Sequence, residues 1–407
     1  MYVLFFGRIV TSLGTMVHFL LTLILSNKLN MTATAIASLF LGFSIVQLPV
    51  IYFAGHLTDH YNKRNIIIIC DLVTVLCYCV AGLIPLSLMT VFLIFIASLF
   101  ASVEHPVYDA LIADLSSFKD REKAFSLNYL GMNLGTVLAP SLGGFLFTKH
   151  LDLVFFIDAF STLLSTILIF VYVKDISRVN DKDEKNIYEE SIDDLNVWQV
   201  LKQRKIIAYF IVCTILTRIL YSQFDFLMPL NFEGLYGERG ALIFGTMTSV
   251  NGFVVIVGTP ILMALSSRFQ DVFKLILGVF FMTSGYFLFI FIQGKIIWYY
   301  LAMIIFTIGE IYQTLGVQPY LTRRIPATHR GRITSISLIL TNVFVALAQN
   351  VVGYLIDHHT FVFMWVVASD FGLMIILMLF VLYYFDRKEY FLLYSKEDRE
   401  TLKDKPM

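Results

Sequence analysis

Gly55-His56-Leu57-Thr58-Asp59-His60-Tyr61-Asn62-Lys63-Arg64 lies between two long apolar runs. A short connection between membrane helices rarely needs a glycine, an aspartate and a basic pair at fixed spacing. A glycine lets neighbouring helices approach closely. An aspartate accepts from helix N-terminal amides or pairs with an arginine. A basic pair belongs at the headgroups, on the cytoplasmic face. The decapeptide therefore reads as a cytoplasmic loop joining two membrane helices, and the rest of the chain is read outward from it.

Hydrophobic residues make up 58% of the 407 and charged residues 15%, and the mean hydropathy is +0.77. A soluble domain is nearer half apolar and about a quarter charged. A spanning helix takes about 20 mostly apolar residues. Twelve such runs are expected, at 2–26, 32–54, 65–85, 88–112, 124–147, 152–174, 205–231, 241–265, 273–293, 296–318, 333–356 and 361–384. The first carries Arg8 and runs too far for a cleavable signal. Cys70, Cys77, Cys79 and Cys213 all fall inside spans and suggest neither a disulfide framework nor a metal pair.

The basic residues set the orientation. With both termini in the cytoplasm, twenty-four Lys and Arg fall on inner segments and four, Lys28, Lys149, Arg239 and Lys295, on outer ones. That asymmetry is the positive-inside rule. Lys174 to Lys205 is too polar to enter a bilayer and too short for a domain. It divides the chain into an N-terminal half (1–174), a cytoplasmic linker (175–204), a C-terminal half (205–385) and a cytoplasmic tail (386–407). A faint duplication supports two halves: Gln47-Leu48-Pro49 answers to Gly258-Thr259-Pro260 leading to Ser266-Ser267-Arg268, where the second copy lacks the aspartate.

The opening decapeptide resembles the loop between helices two and three of major facilitator superfamily transporters: glycine, leucine and aspartate at alternate positions, then a basic pair. Tyr61-Asn62 stand where many members have glycine and a basic residue. In helix five, Gly131-Met132-Asn133-Leu134-Gly135-Thr136-Val137-Leu138-Ala139-Pro140-Ser141-Leu142-Gly143-Gly144 resembles the glycine-proline motif of the superfamily's drug:proton antiporters, with Ala139 where glycine is usual. Its small residues, Gly135, Gly143 and Gly144 among them, equally suit a tight packing face, and Pro140 can bend the helix. Gln223-Phe224-Asp225 and Ile308-Gly309-Glu310-Ile311-Tyr312 resemble segments of the lactococcal-type proton-coupled multidrug transporters. The resemblance implies an all-α fold of twelve transmembrane helices in two six-helix halves related by a pseudo-two-fold axis. It also assigns proton coupling and cationic-drug binding to Asp225 and Glu310. Gating would fall on Gly55, Asp59, Lys63, Arg64 and Asp114. Asn128 stands where that group has an acid, so one proton or cation site is missing.

Ionisable residues within apolar spans are costly in lipid and are expected to face the protein interior or a water-filled path. Asp225 and Glu310 are the deepest, with Arg218 two turns before Asp225; Arg8, Glu104 and Asp109 are further charges in the N-terminal half. Tyr221, Gln223, Phe224 and Tyr312 are candidate cavity residues, where an aromatic face would attract a cationic solute. For Asp71, Asp158 and Asp370 a static buried role is the favoured reading. His18 and His105 read as packing, and His358-His359 suggest no metal site.

The function expected is proton-driven export of amphiphilic or cationic drugs from a bacterial plasma membrane by alternating access. No cofactor beyond the proton gradient is implied, and each chain should work as a monomer. A neutral macrolide, a sugar, a peptide or another metabolite is the alternative cargo on the same fold. The peptide-transporter pattern E-x-x-E-R-F is absent from helix one, which begins Phe6-Gly7-Arg8-Ile9-Val10. The chain also lacks a P-loop lysine motif, H-E-x-x-H and G-x-S-x-G, and so carries no readable enzyme signature. Nothing points to nucleic acid.

Overall fold

The computed structural model describes residues 2–115, 118–173, 197–292, 295–325, 327–390 and 394. The described residues are helical almost throughout. In the first part of the chain these are α1 (Tyr2–Leu13), α2 (Met16–Leu23), a π-helical turn (Ile24–Lys28), α3 (Ala33–His60), α4 (Lys63–Leu83), α5 (Leu88–Leu115), α6 (Phe118–Leu146) and α7 (Leu151–Tyr172). Then come α8 (Val197–Gln203), α9 (Lys205–Tyr221), α10 (Leu227–Tyr236), α11 (Arg239–Leu265), α12 (Asp271–Phe291), α13 (Ile296–Arg324), α14 (Ala327–His358) and α15 (Phe361–Glu389).

Among the described residues, ten helical stretches are long and apolar enough to cross a membrane. Two of the twelve expected spans fall outside that number, for different reasons. The run at 124–147 lies in α6, where the described stretch Leu130–Leu146 is a shorter apolar helix. The run at 205–231 is not one helix: α9 stops at Tyr221, residues 222–226 form a turn, and α10 starts at Leu227. Pro229 explains the break. It has no N–H for the carbonyl of Asp225 four residues earlier, and its ring would clash there. That carbonyl instead accepts from the Thr22 hydroxyl at 3.0 Å. The last carbonyls of α9 also find other donors: Ser222 Oγ and Gln223 Nε2 bond Ile219 O, and the Tyr286 hydroxyl bonds Leu220 O at 3.3 Å.

α7 shows why these helices suit lipid. Asp158, Ser161, Thr162, Ser165, Thr166 and Ile169 are buried at helical spacing, whereas Phe160, Leu164, Ile167, Phe170 and Val171 point outward. Small and polar residues make the helix–helix face and large apolar residues the outer one, the reverse of a soluble helix. Ends are capped locally where the sequence permits. Asn62 accepts from Arg64 N to start α4, and Thr360 accepts from Phe363 N to start α15.

The chain packs as two compact units. The first holds residues 1–185, 224–256 and 346–359. Here α1 lies against α6 and α7, α4 against α5 and α7, and α2 against α6 and α10. The second holds 186–223, 257–345 and 360–407, with α12 against α13 and α15, and α9 against α15.

Candidate functional site

In the first unit a charged cluster is built from α1, α4, α5 and α7. Arg8 and Glu104 are both buried, with Nη1 to Oε1 at 4.0 Å. Arg8 Nη2 donates to His105 Nδ1 at 3.1 Å, and its guanidinium lies 5.1 Å from the centre of the Tyr108 ring. An arginine only donates, so His105 accepts at Nδ1 and is neutral, with its proton on Nε2. The Tyr108 hydroxyl donates to Leu4 O, tying α5 to α1. Beside this group, Asp71 of α4 is buried and hydrogen-bonded with Thr166 of α7 at 2.7 Å. Asp109 is exposed one turn beyond His105.

Asp225 also belongs to this unit, with an exposed side chain next to the break in the seventh span. Its neighbours Phe224 and Phe226 are buried against Phe244 and Phe40. Gln223, on the far side of the break, is buried with Oε1 unpaired. Asn128 likewise has a buried, unpaired amide oxygen.

The glycine-proline motif of α6 makes two packing faces. A Cβ on Gly135 would stand 2.4 Å from Ser12 Cβ, and one on Gly143 would stand 3.1 Å from Met16 Cβ, so this face meets α1 and α2. The other face meets α11. A Cβ on Gly144 would lie 2.5 Å from Ala241 O, one on Gly245 would lie 2.1 Å from Pro140 O, and Ser141 bonds Ser249 at 2.7 Å.

Of the gating candidates, Arg64 donates to Phe170 O and stacks over the Phe170 ring. Lys63 is half-buried at the start of α4. Gly55, Asp59 and Asp114 lie on helical backbone, but their side chains fall outside the described residues.

The second unit assembles three of the expected residues. The Tyr221 hydroxyl donates to Glu310 Oε1 at 3.0 Å, and the Arg218 guanidinium sits 4.9 Å from the centre of the same ring. Tyr221 stacks on Phe306, which packs on Tyr286, and Tyr286 on Trp365. Tyr312 is buried and stacks on Phe281. Arg218 is exposed and Glu310 half-buried, so a guanidinium and a carboxylate share one tyrosine beside an aromatic wall.

Sequence reasoning missed a second charged group in this unit. Arg324 bridges Asp271 at 3.2 Å and Asp386 at 2.7 Å, and Asp386 also accepts from Tyr320 and Tyr394. Burial alone would lower the Arg324 pKa, but the Asp386 hydrogen bond and charge hold it above the ordinary value. Asp271 lies three residues beyond Arg268 at the start of α12 and also meets Arg323 at 3.1 Å. Another missed group, in the first unit, is Asp357, whose carboxylate accepts from Ala33 N and Thr34 N, both at 2.9 Å, and from the Thr34 hydroxyl. Among the described residues no three His, Cys, Asp or Glu side chains gather as a metal site.

The sequence profile of the Major Facilitator Superfamily matches residues 4–349. The chain belongs to this superfamily. It is thus a multi-pass membrane protein of a transporter family and not an enzyme. Multidrug resistance protein 1 of Bacillus subtilis (strain 168) is 28% identical over 162 residues, which cover 39% of this chain and 41% of that protein. A Na(+), Li(+), K(+)/H(+) antiporter of Planococcus maritimus is 23% identical over 268 residues, covering 58% of this chain and 60% of that one. The chain thus spans between two and three fifths of the length of these two relatives. Among solved structures, a POT family transporter in complex with a thioalcohol-conjugated peptide superposes with a TM-score of 0.77 at 13% identity, over 95% of this chain and 96% of that one. The nucleoside transporter NupG gives 0.74 at 12% identity, over 94% and 99%. At such identities the likeness is one of fold alone.

Proposed function

We propose that this superfamily member is a secondary active transporter moving a neutral or zwitterionic organic solute across a bacterial plasma membrane, coupled to protons, by alternating access. The observation that carries the reading is the sharing of Tyr221 by Glu310 and Arg218. A lone carboxylate on an aromatic wall suits a lipophilic cation. A carboxylate with a guanidinium on the same ring is largely balanced and favours a solute that is uncharged or carries both signs. Glu310 is the proton-coupling acid in this reading, since protonation frees the Arg218 charge for the solute. Twelve crossings, two six-helix halves and cytoplasmic termini complete the topology, with α6 and the broken α9–α10 pair supplying the two crossings beyond the ten. A discontinuous helix near the solute path is what such a transporter uses to offer backbone groups as well as side chains.

A second reading, export of cationic drugs, is favoured by the multidrug relatives and by the exposed Asp225 carboxylate. Proteoliposomes with an imposed pH gradient separate the two. A dipeptide, a nucleoside, a macrolide and ethidium are offered in parallel to wild type, Glu310→Gln and Asp225→Asn. We expect gradient-driven movement of at least one of the first three, cut tenfold or more in Glu310→Gln. Movement of ethidium alone, lost in Asp225→Asn, would replace this reading with the second.

A further inference from the structure

The Thr166 hydroxyl has more neighbours than it has protons. Its oxygen lies 2.7 Å from Asp71 Oδ2 and 2.8 Å from Thr162 O, and a backbone carbonyl can only accept. One hydroxyl proton does not make two full hydrogen bonds. Both contacts are satisfied if Thr166 donates to Thr162 O while Asp71, carrying a proton, donates to Thr166 Oγ1. The charge balance points the same way. Asp71 is 4% exposed, Glu104 8% and Arg8 6%, so two buried acids answer to one buried guanidinium. Arg8 stands within 4.0 Å of Glu104, and its own Nε is buried without a partner. His105 is neutral and takes an arginine hydrogen bond, so it adds no second cation. Among the described residues, the other titratable groups that sense the Asp71 charge are Cys70 on its own helix and Tyr108 on α5, and neither is cationic. A buried charge inside a membrane span needs a partner, and two acids with one cation meet that need by sharing one proton.

We propose that Asp71 holds a proton in this conformation, and that Asp71 and Glu104, balanced by Arg8, form a proton-coupling site of the N-terminal half. The proton sits on an Asp71 carboxyl oxygen, comes from bulk water and returns to it, and no other group changes its covalent state. The coupling part rests on the function proposed above; the protonation of Asp71 does not. Static packing, the role favoured for Asp71 from sequence, gives way to exchange with the medium.

The test is infrared spectroscopy of the protein reconstituted in lipid, with absolute carboxyl-region spectra recorded in acidic and in alkaline buffer. Wild type is expected to show a protonated-carboxyl band that fades at alkaline pH. The band should be absent in Asp71→Asn and shifted in Thr166→Val, which removes its hydrogen-bond acceptor. Identical carboxyl regions in wild type and both variants would overturn the protonation. A band assigned to Asp71 that stays constant at every pH would overturn the coupling role. Should Asp71→Asn fail to fold, the shift in Thr166→Val decides the assignment. No solute is needed for these readouts, so a failure of the transport assay leaves them standing.

Discussion

At the scale of single residues, the buried ion pairs set the largest energies. Arg324 and Asp386 are almost fully buried and doubly bonded, at 2.8 and 2.7 Å. Removing one partner of such a pair leaves an uncompensated charge and costs about 3–5 kcal/mol, whereas replacing both with apolar groups can be nearly neutral. We expect Asp386→Ala to lower the thermal unfolding midpoint in detergent sharply. Asp386→Leu combined with Arg324→Met should recover much of the loss, because Asp271 keeps Arg323 at 3.1 Å. A double variant no better than the single would remove the pairing argument. Tyr221 offers a finer test. Tyr221→Phe keeps the ring under Arg218 but deletes the hydrogen bond to Glu310, and should shift the pH profile of transport with little change in stability.

At the scale of elements, the helix-five motif acts through space left empty. Gly245 on α11 and Gly135 on α6 have no room for a methyl group, since the nearest atoms on the facing helices would lie 2.1 and 2.4 Å away. At Gly245 the obstacle is backbone, which cannot rotate aside. Gly245→Ala and Gly135→Ala are each expected to reduce folded yield and transport by several-fold. Gly42 is the control, because a Cβ there meets nothing within 4 Å and alanine is about 1 kcal/mol better in a helix interior. Equal behaviour of the three variants, measured by fluorescence-detected size exclusion, would contradict the packing role. The motif's glycines and proline were readable in the sequence. Which helices they receive was not, because Gly245 lies a hundred residues from Pro140.

At the scale of the whole molecule, the first unit takes the end of α14 as its own. Asp357 caps the start of α3 and Asn350 meets Ser38 at 3.0 Å, across more than three hundred residues. Losing a helix N-terminal cap costs about 0.5–2 kcal/mol. Under the proposed alternating-access function, that cost would fall on one conformation and so shift the balance between conformations. In a background without Cys70, Cys77, Cys79 and Cys213, a Ser38→Cys, Asn350→Cys pair should cross-link readily. Adding Asp357→Ala should slow that reaction several-fold, and an unchanged rate would mean that the cap does not hold this arrangement.

The sequence by itself determined the solvent, the class and the family of this protein. Runs of apolar residues, a polar centre and a loop with glycine, aspartate and a basic pair suffice, because the bilayer forces every crossing backbone to pair within itself. It also exposed the costly charges, Arg8, Glu104, Arg218, Asp225 and Glu310, since polarity inside a span stands out in one dimension. Tertiary structure decided their partners. Only packing brought Tyr221 and Arg218 to Glu310 and set Thr166 between Asp71 and a carbonyl. Only packing, too, revealed Asp271, Asp357 and Asp386, which look like ordinary helix-end acids when read along the chain. A hydrogen bond depends on distances of a few tenths of an ångström between helices remote in sequence, and no spacing along one chain encodes them.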